Sequence, residues 1–290
     1  LLSVAILAMG LSANAQNLKS QNFDSLINGN LSTDLSGQYY GQGNIVLSAT
    51  NGNLANYQIV DNAVKGKVLN INFPTSATNS YISDIFTWSN RTAGNDILVF
   101  TQWIYTGSAT QSDYRNRYAI FGSASQQSGS YIGGFQFDHA SKVISGYAFA
   151  ALGNDTAPGN YLISLGLSEE QPNVTLPANT WVELKYSYNT ANKRHSFYID
   201  GILDGYVTGT LPIAGETNPS EYVNITLNAS NSTNASYSAL VDEYNIIATN
   251  STNLSTESNE LVIGEIKLYP NPANDVVNIA STQGVIEHYA

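Results

Sequence analysis

The stretch WVELKYSYNTANKRHSFYIDGILDGYV, from Trp181 to Val207, has the pattern of consecutive β-hairpins. Its first segment alternates two sets of side chains. One set is Val182, Leu184, Tyr186 and Tyr188, and the other is Trp181, Glu183, Lys185 and Ser187. Alternation with a period of two predicts a strand with one buried face. The polar loop NTANKR then leads into a second strand, His195 to Ile199, and Asp200-Gly201 is typical of a two-residue turn with positive φ.

Similar short runs continue on both sides of this stretch, from about Asn22 to Thr249, without a convincing helical period. The other candidate strands are NIVLSA, KVLNINF, DILVFTQWIYT, RYAIFG, YIGGFQF, VISGYAF, NYLISLG, YVNITLN and ALVDEYNII. Gly, Asn, Ser and Pro separate them, as is usual for turns. The chain is therefore predicted to be all-β, with enough strands for two packed sheets.

The composition limits the classes of partner. Lys and Arg number 11 against 22 Asp and Glu, which gives a formal net charge of −11. Such a charge repels the phosphates of nucleic acid and anionic lipids, so neither is an expected partner. Cysteine is absent, which excludes disulfides, thiol nucleophiles and Cys-based zinc sites.

A family resemblance is carried by the hairpin stretch. The order of Trp181, an alternating strand, a polar loop and FYIDG resembles concanavalin A-like (laminin-G-like) jelly-roll domains. NFDSLINGNLS and GKVLNINF resemble the first strands of such domains, and ALVDEYNII resembles the closing strand, with Asp242 at an often acidic position. The resemblance implies a jelly-roll β-sandwich over residues 20–249.

The N-terminal residues 1–16, LLSVAILAMGLSANAQ, have the pattern of a signal peptide. An apolar run from Leu1 to Leu11 precedes Ala13-Asn14-Ala15, a small-x-small cleavage pattern. The run is shorter than the about 20 residues that a membrane-spanning helix needs. We therefore expect the protein to be exported. The mature chain should begin near Gln16 or Asn17 and should contain no membrane span.

The C-terminal residues 261–290 contain a second recognisable pattern, after a polar segment at 250–260 that we interpret as a linker. IKLYPNPANDVVNI resembles the C-terminal sorting domain of the type IX secretion system of Bacteroidetes. The matching positions are Leu268, Tyr269, Pro270, Asn271, Pro272, Asp275, Val277 and Ile279. The resemblance implies a sorting domain that is truncated here, with the type IX machinery as a partner. The expected location is the medium or the outer cell surface.

No catalytic residue is assigned from the sequence. A retaining glycosidase needs two carboxyl groups about 5 to 5.5 Å apart, which same-face residues two apart on one strand could supply. Glu183 and Asp138 lack such a partner, and alternation predicts that Asp242 and Glu243 point to opposite faces. The Glu-x-Asp-x-(x)-Glu motif of glucanases with this fold and the signature strings of alginate lyases are also missing.

Candidate ligand-binding residues are aromatic, basic and polar side chains on predicted strands. They are Trp103, Tyr105, Arg115, Arg117, Gln136, Asp138 and His139. Trp103 and Tyr105 could stack on sugar rings, although the shared parity of Ile97 and Val99 favours a core position for Trp103. Arg and Gln beside a His base could instead serve a lyase that neutralises a uronate.

The sequence thus favours a secreted or cell-surface module that binds carbohydrate or mediates adhesion, with polysaccharide or cell-surface glycan as the expected ligand. Two alternatives stay open: a lyase or glycoside hydrolase on the same fold, and a purely structural surface protein. No cofactor or metal is assigned. Calcium remains an open alternative in GNDTAPGN, where Asp155 supplies a single carboxylate.

Overall fold

The computed structural model describes residues 15–73, 79–108, 114–122, 131–150, 159–166, 174–208, 218–228, 237–251, 267–269 and 278–280. The chain divides into two compact units, Leu1–Thr252 and Asn253–Ala290. In the first unit, the described residues form antiparallel strands and three short 3₁₀ turns, at Gln42–Asn44, Leu54–Asn56 and Trp88–Asn90. The predicted all-β class is confirmed.

The strands of the first unit build two sheets, sheet A and sheet B. In chain order they are β1 (Gln16–Gln21), β2 (Gly29–Asn30), β3 (Ser36–Tyr40), β4 (Val46–Thr50), β5 (Tyr57–Asn62), β6 (Gly66–Phe73), β7 (Asn79–Ile85), β8 (Ile97–Tyr105), β9 (Tyr114–Phe121), β10 (Tyr131–Asp138), β11 (Val143–Ala150), β12 (Gly159–Ser164), β13 (Val174–Thr175), β14 (Trp181–Asn189), β15 (Arg194–Ile199), β16 (Ile202–Thr208), β17 (Glu221–Asn228) and β18 (Tyr237–Thr249). Sheet A has the order β16-β15-β14-β8-β18-β6-β5-β2, and β1 also pairs with β18. Sheet B has the order β12-β11-β10-β9-β17-β7-β4-β3, and β13 pairs with β11.

The stretch from Trp181 to Val207 forms the three strands β14, β15 and β16 at one edge of sheet A. Asp200 and Gly201 join β15 to β16 with φ values of 47° and 82°, as the Asp-Gly pair predicts. The predicted alternation is confirmed, because Val182, Leu184 and Tyr186 are all buried in the core between the sheets.

The core depends on close approach between large rings of sheet A and glycines of sheet B. A Cβ on Gly133 would lie 2.3 Å from the hydroxyl oxygen of Tyr186. A Cβ on Gly146 would lie 2.9 Å from the ring of Phe197. Both distances are too short, so only glycine leaves room for these two rings at this sheet separation.

A buried polar group also links the sheets. Asp84 of sheet B accepts a bond of 2.5 Å from the hydroxyl of Tyr244, and Lys19 Nζ lies 2.7 Å from its other oxygen; both partners belong to sheet A. Burial raises the pKa of Asp84, and the bonds from Lys19 and Tyr244 oppose that rise. Tyr222 stacks on Tyr244 with ring centroids 4.2 Å apart.

The second unit contains an antiparallel pair, β19 (Lys267–Tyr269) and β20 (Asn278–Ala280), in which Leu268 lies opposite Ile279. Several positions of the predicted sorting motif lie outside the described residues, namely Pro270, Asn271, Pro272, Asp275 and Val277. The same holds for residues 1–14, most of the predicted linker, and Asp155. In the described part of the chain, no helix has the length and apolar character needed to cross a membrane.

Candidate functional site

The seven predicted ligand-binding residues are divided between the two sheets. Trp103 and Tyr105 belong to β8 of sheet A, whereas the other strand residues belong to β9 and β10 of sheet B. Those sheet B residues are Arg115, Arg117, Gln136 and Asp138, and His139 follows β10. Apart from His139, whose side chain is buried, the two groups lie on the outer faces of different sheets, so they do not form one site.

Arg115 and Asp138 lie opposite each other on β9 and β10. Their ion pair joins Arg115 Nε to Asp138 Oδ2 over 2.9 Å. Burial alone would raise the pKa of Asp138, but the bonds from the Ser141 backbone N–H and from Arg115 lower it overall. The two charges neutralise each other, so this pair adds little net charge to the face.

Arg117 is the centre of a polar and aromatic group that we call the arginine network, formed by Arg117, Tyr131, Gln136 and Tyr147. Arg117 Nε donates to Gln136 Oε1 over 2.9 Å, and Nη1 donates to the hydroxyl of Tyr147 over 3.3 Å. The guanidinium carbon lies 4.2 Å from the ring centroid of Tyr147 and 5.8 Å from that of Tyr131. The guanidinium is therefore fixed by stacking and by hydrogen bonds.

The sequence analysis did not include Tyr131 and Tyr147 in this group. A register shift between Tyr131 and Gly133 brings Tyr131 onto the outer face, which strict alternation along β10 does not predict. Tyr147 follows from alternation along β11 once that strand is known to pair with β10. The missing information was strand pairing, which the pattern of one strand does not contain.

An apolar group continues the same face beyond the arginine network. Ring centroids of Phe121 and Tyr131 are 4.2 Å apart, and those of Tyr81 and Phe121 are 5.9 Å apart. The hydroxyl of Tyr81 donates to Glu221 Oε2 over 3.0 Å. Burial raises the pKa of Glu221 to about 7, although the bond from Tyr81 opposes this. The sequence analysis missed this carboxyl group, which is fully buried on an apolar strand face.

His139 is not on this face, which is a correction to its predicted role in ligand binding. Its side chain is buried in the interior, and Nε2 lies 2.7 Å from Asn116 Oδ1. The turn after β10 interrupts the alternation, so a position next to Asp138 does not predict the direction of the ring.

Trp103 is not a core residue, contrary to the position that parity favoured. The core residues of β8 are Leu98, Phe100 and Ile104, and Trp103 lies half-buried on the opposite, outer face of sheet A. Trp103 does share a face with Ile97 and Val99, but that face is not the core. Strand β8 is apolar on both faces near its start, so Val99 is buried on the outer face as well. On the same outer face, the ring of Tyr105 lies 5.4 Å from that of Trp181.

Asp242 and Glu243 do not point to opposite faces, which corrects a second expectation. Strand β18 has a register shift against β8 between Asp242 and Tyr244, with Glu243 as the extra residue at φ 36°. Asp242 lies opposite Trp103, and Glu243 lines the same cavity as Asn245, which lies opposite Thr101. Both carboxyl groups are therefore on the outer face of sheet A.

Among the described residues, no three His, Asp or Glu side chains are placed closely enough together to hold a metal ion. The calcium alternative at Asp155 concerns residues that the structure does not describe.

Neither a protein-family model nor a curated protein sequence matches the chain. Among solved structures, an endo-1,3-β-glucanase from Streptomyces sioyaensis has a TM-score of 0.50 at 11% identity, covering 80% of this chain and 96% of its own. A carbohydrate esterase from the Shiga toxin-encoding bacteriophage phi24B has a TM-score of 0.44 at 14% identity, covering 77% of this chain and 99% of its own.

The carbohydrate recognition domain of Emp47p has a TM-score of 0.40 at 9% identity, covering 80% of this chain and 97% of its own. At these identities the likeness concerns the fold alone, and the glucanase is the structure among these three that supports it. Together with the two antiparallel sheets, this likeness shows that the first unit has a jelly-roll β-sandwich fold.

Proposed function

We propose that this protein is a secreted or cell-surface module that binds carbohydrate or mediates adhesion, with its ligand site at the arginine network of sheet B. The observation that carries the proposal is the fixed guanidinium of Arg117 between Gln136 and Tyr147. Sugar sites combine aromatic rings with a few oriented hydrogen-bonding groups on a rigid scaffold. The arginine network has this composition, and it stands on adjacent strands.

The hydrogen bonds that Arg117 makes within the protein leave some of its N–H donors available to a ligand. A guanidinium has five N–H donors, and bonds to Gln136 and Tyr147 use one donor on Nε and one on Nη1. The remaining donors suit hydroxyl or carboxylate oxygens of a sugar. The half-buried ring of Tyr131 beside them offers an apolar surface for a sugar ring.

The test is a glycan array probed with the wild-type protein and with Arg117→Ala. We expect at least one class of glycan to bind, and binding to fall about tenfold or more in Arg117→Ala, since charged hydrogen bonds contribute roughly 1.5 to 3 kcal/mol. The matched control is Arg91→Ala, which removes the same charge from an ion pair with Asp96 away from this face. Equal binding by both variants would refute the site, and no binding to any glycan would favour a structural surface protein.

A second candidate function is polysaccharide cleavage, and the observation that favours it is Glu221. Its carboxyl group has a pKa raised to about 7 by burial and bonds to the hydroxyl of Tyr81 on the same face as the arginine network. A carboxyl group that is protonated near neutral pH could serve as a general acid. Product analysis on each glycan that binds, with Glu221→Gln for comparison, separates an enzyme from a binding module.

The export route is part of the same proposal. The signal-peptide pattern at 1–16 and the motif from Leu268 to Ile279 support secretion through the inner membrane followed by type IX transport. The test is fractionation of a host with the type IX system that expresses the complete gene, with Tyr269–Pro272 either intact or replaced by Gly and Ser. Loss of surface and medium protein is expected after the replacement. Equal levels would contradict a role for the motif.

A further inference from the structure

A second group of functional side chains lies on the outer face of sheet A, around Trp103. We call it the Trp103 cluster and define it as Lys65, Trp103, Glu183, Asp242 and Glu243. Trp103 lies opposite Glu183 on β14 and opposite Asp242 on β18. The β-bulge in β18 adds Glu243 to the same face. Bulges are frequent near functional sites because they redirect a side chain.

Asp242 is the residue that points to an absent ligand. Only 3% of it is exposed, and its Oδ1 accepts no hydrogen bond from any described residue. Buried polar atoms in native proteins are nearly always paired, and an unpaired carboxylate oxygen is costly. A donor from outside the chain would satisfy this oxygen.

The electrostatics agree with this geometry. Burial raises the pKa of Asp242 to about 6. The backbone N–H of Glu243 and the charge of Lys65 oppose this rise, whereas the charges of Glu243 and Asp24 add to it. Burial also raises the pKa of Glu183. The charges of Lys185 and Lys65 oppose the rise at Glu183. Because burial still disfavours the ionised form of both carboxyl groups, a cationic group beside Asp242 would be stabilised.

Lys65 shows which kind of group the cluster accommodates. Its ammonium nitrogen lies 3.5 Å from the ring centroid of Trp103 and 5.8 Å from that of Trp181. Among the described residues, no carboxylate oxygen lies within 4 Å of this nitrogen. An ammonium thus rests on the indole by a cation–π contact, at the end of a flexible side chain that can leave for solvent.

A polar cavity adjoins the cluster. It has a volume of about 330 Å³ and shares Glu243 with the cluster. Its other lining residues are Ser20, Gln21, Asn22, Ser25 and Asn245. Hydroxyl and amide side chains of this kind bind the hydroxyl groups of sugars, and the volume is in the range of small-ligand sites.

We propose that the Trp103 cluster and this cavity form a second glycan site, selective for amino sugars with a free amino group. The ligand's ammonium replaces that of Lys65 on Trp103 and donates to Asp242, while its hydroxyl groups enter the cavity. A bare metal ion fits less well, because the carboxylates are not spaced to hold one. This site is separate from the arginine network and does not depend on it.

The experiment is isothermal titration of the whole chain with a glucosamine hexamer and with its fully N-acetylated counterpart. We expect the glucosamine hexamer to bind more tightly by about tenfold or more, because acetylation removes the charge, and a buried charge-assisted bond contributes at least this much. Asp242→Asn and Glu243→Gln should each weaken binding. Lys65→Ser should strengthen it several-fold, because it removes the internal competitor, an effect that a merely structural lysine would not give.

Two controls make the result decisive. Asp96→Asn and Arg91→Ala each remove one partner of an ion pair that belongs to neither proposed site, and each should leave glucosamine binding unchanged. The proposal is overturned if neither wild type nor Lys65→Ser binds the glucosamine hexamer, or if both hexamers bind equally. It is also overturned if oligolysine binds equally well, since that would show general attraction to an acidic protein.

Discussion

His139 is held in one neutral tautomer by its neighbours. Asn116 Nδ2 donates to Asn224 Oδ1 and to Thr226 Oγ1, over 2.9 and 3.2 Å. Asn116 Oδ1 is therefore the acceptor that faces His139, so Nε2 of the imidazole carries a proton. Burial lowers the pKa of His139 to about 3. These contacts make His139 part of the interior rather than a ligand-binding residue.

We expect His139→Ala to destabilise the sandwich by about 3 kcal/mol, because it opens a cavity and leaves the buried Asn116 Oδ1 unpaired. Urea unfolding at pH 7 measures the change. Glycan binding by the folded variant should equal that of wild type. A variant that kept its stability and lost binding would restore His139 as a ligand-binding residue.

Glu221 should make stability depend on pH in a defined direction. Its pKa is raised from 4.5 to about 7, so between these values the folded state binds more protons than the unfolded state. The contribution of Glu221 to stability therefore decreases as the pH rises through this window. Glu221→Gln removes that loss. The free energy of unfolding of the variant, relative to that of wild type, should therefore increase from pH 4.5 to pH 7, by up to about 3 kcal/mol.

Urea unfolding of both proteins at several pH values measures this difference, and taking the difference cancels the titration of other groups. Asp138→Asn is the control of opposite sign. The pKa of Asp138 is lowered, so its carboxylate stabilises the folded state at neutral pH, and that stabilisation is lost as the pH falls through the lowered value. A constant difference between Glu221→Gln and wild type at all pH values would mean that Glu221 is already ionised at pH 5.

The bulge in β18 shows why the Trp103 cluster could not be predicted from sequence. Strict alternation assigns Asp242 and Glu243 to opposite faces, and a single extra residue cancels this assignment. Nothing in ALVDEYNII marks the position of the bulge, since Gly is absent there. In contrast, the Asp200-Gly201 turn was predictable, because a two-residue hairpin turn requires positive φ and this residue pair favours it.

Glu243 adopts φ 36°, in the region that favours glycine. We therefore expect Glu243→Gly to be more stable than Glu243→Ala by about 1 kcal/mol, since relief of backbone strain outweighs the entropy of glycine. Both variants remove the same charge, so the comparison isolates the backbone. Thermal unfolding measures it. Asn245 has ordinary strand geometry and serves as the control, so Asn245→Ala should be more stable than Asn245→Gly. If Glu243→Ala were also more stable than Glu243→Gly, the backbone at this position would not be strained.

The sandwich as a whole was predictable where strands are strongly alternating or apolar. Each of the candidate strand runs, from NIVLSA to ALVDEYNII, lies on a strand of the structure. Besides the two-residue strands, the strands absent from the predicted runs are β1, β3, β5 and β7. Their segments QNLKSQ, SGQYY, YQIVDN and NSYISDI are rich in polar residues. These strands are held by pairing and by contacts such as Lys19 with Asp84, which depend on residues far away in the chain.

The first and last strands of the first unit, β1 and β18, pair with each other. Strand β1 pairs along β18 from Gln16 opposite Ala248 to Gln21 opposite Tyr244. Strand β18 also pairs with β6 and with β8, so it is central in sheet A. The last residues of β18 are buried, including Ala248 and Thr249. The sandwich therefore needs the chain up to Thr249, and among the described strands its sheets contain none from residues 253–290.

We expect a chain shortened after Thr252 to unfold cooperatively, with a midpoint within a few degrees of the full chain. The compact unit Leu1–Thr252 contains both sheets, and β19 pairs only with β20 among the described strands. A loss of about 1 kcal/mol would lower the midpoint by roughly 2 to 4 °C in a domain of this size. Calorimetry of both chains measures the shift.

The control, a chain shortened after Asp242, loses the pairing of β18 with β1 and should not fold. A much larger fall after removal of residues 253–290 would show that the second unit stabilises the sandwich.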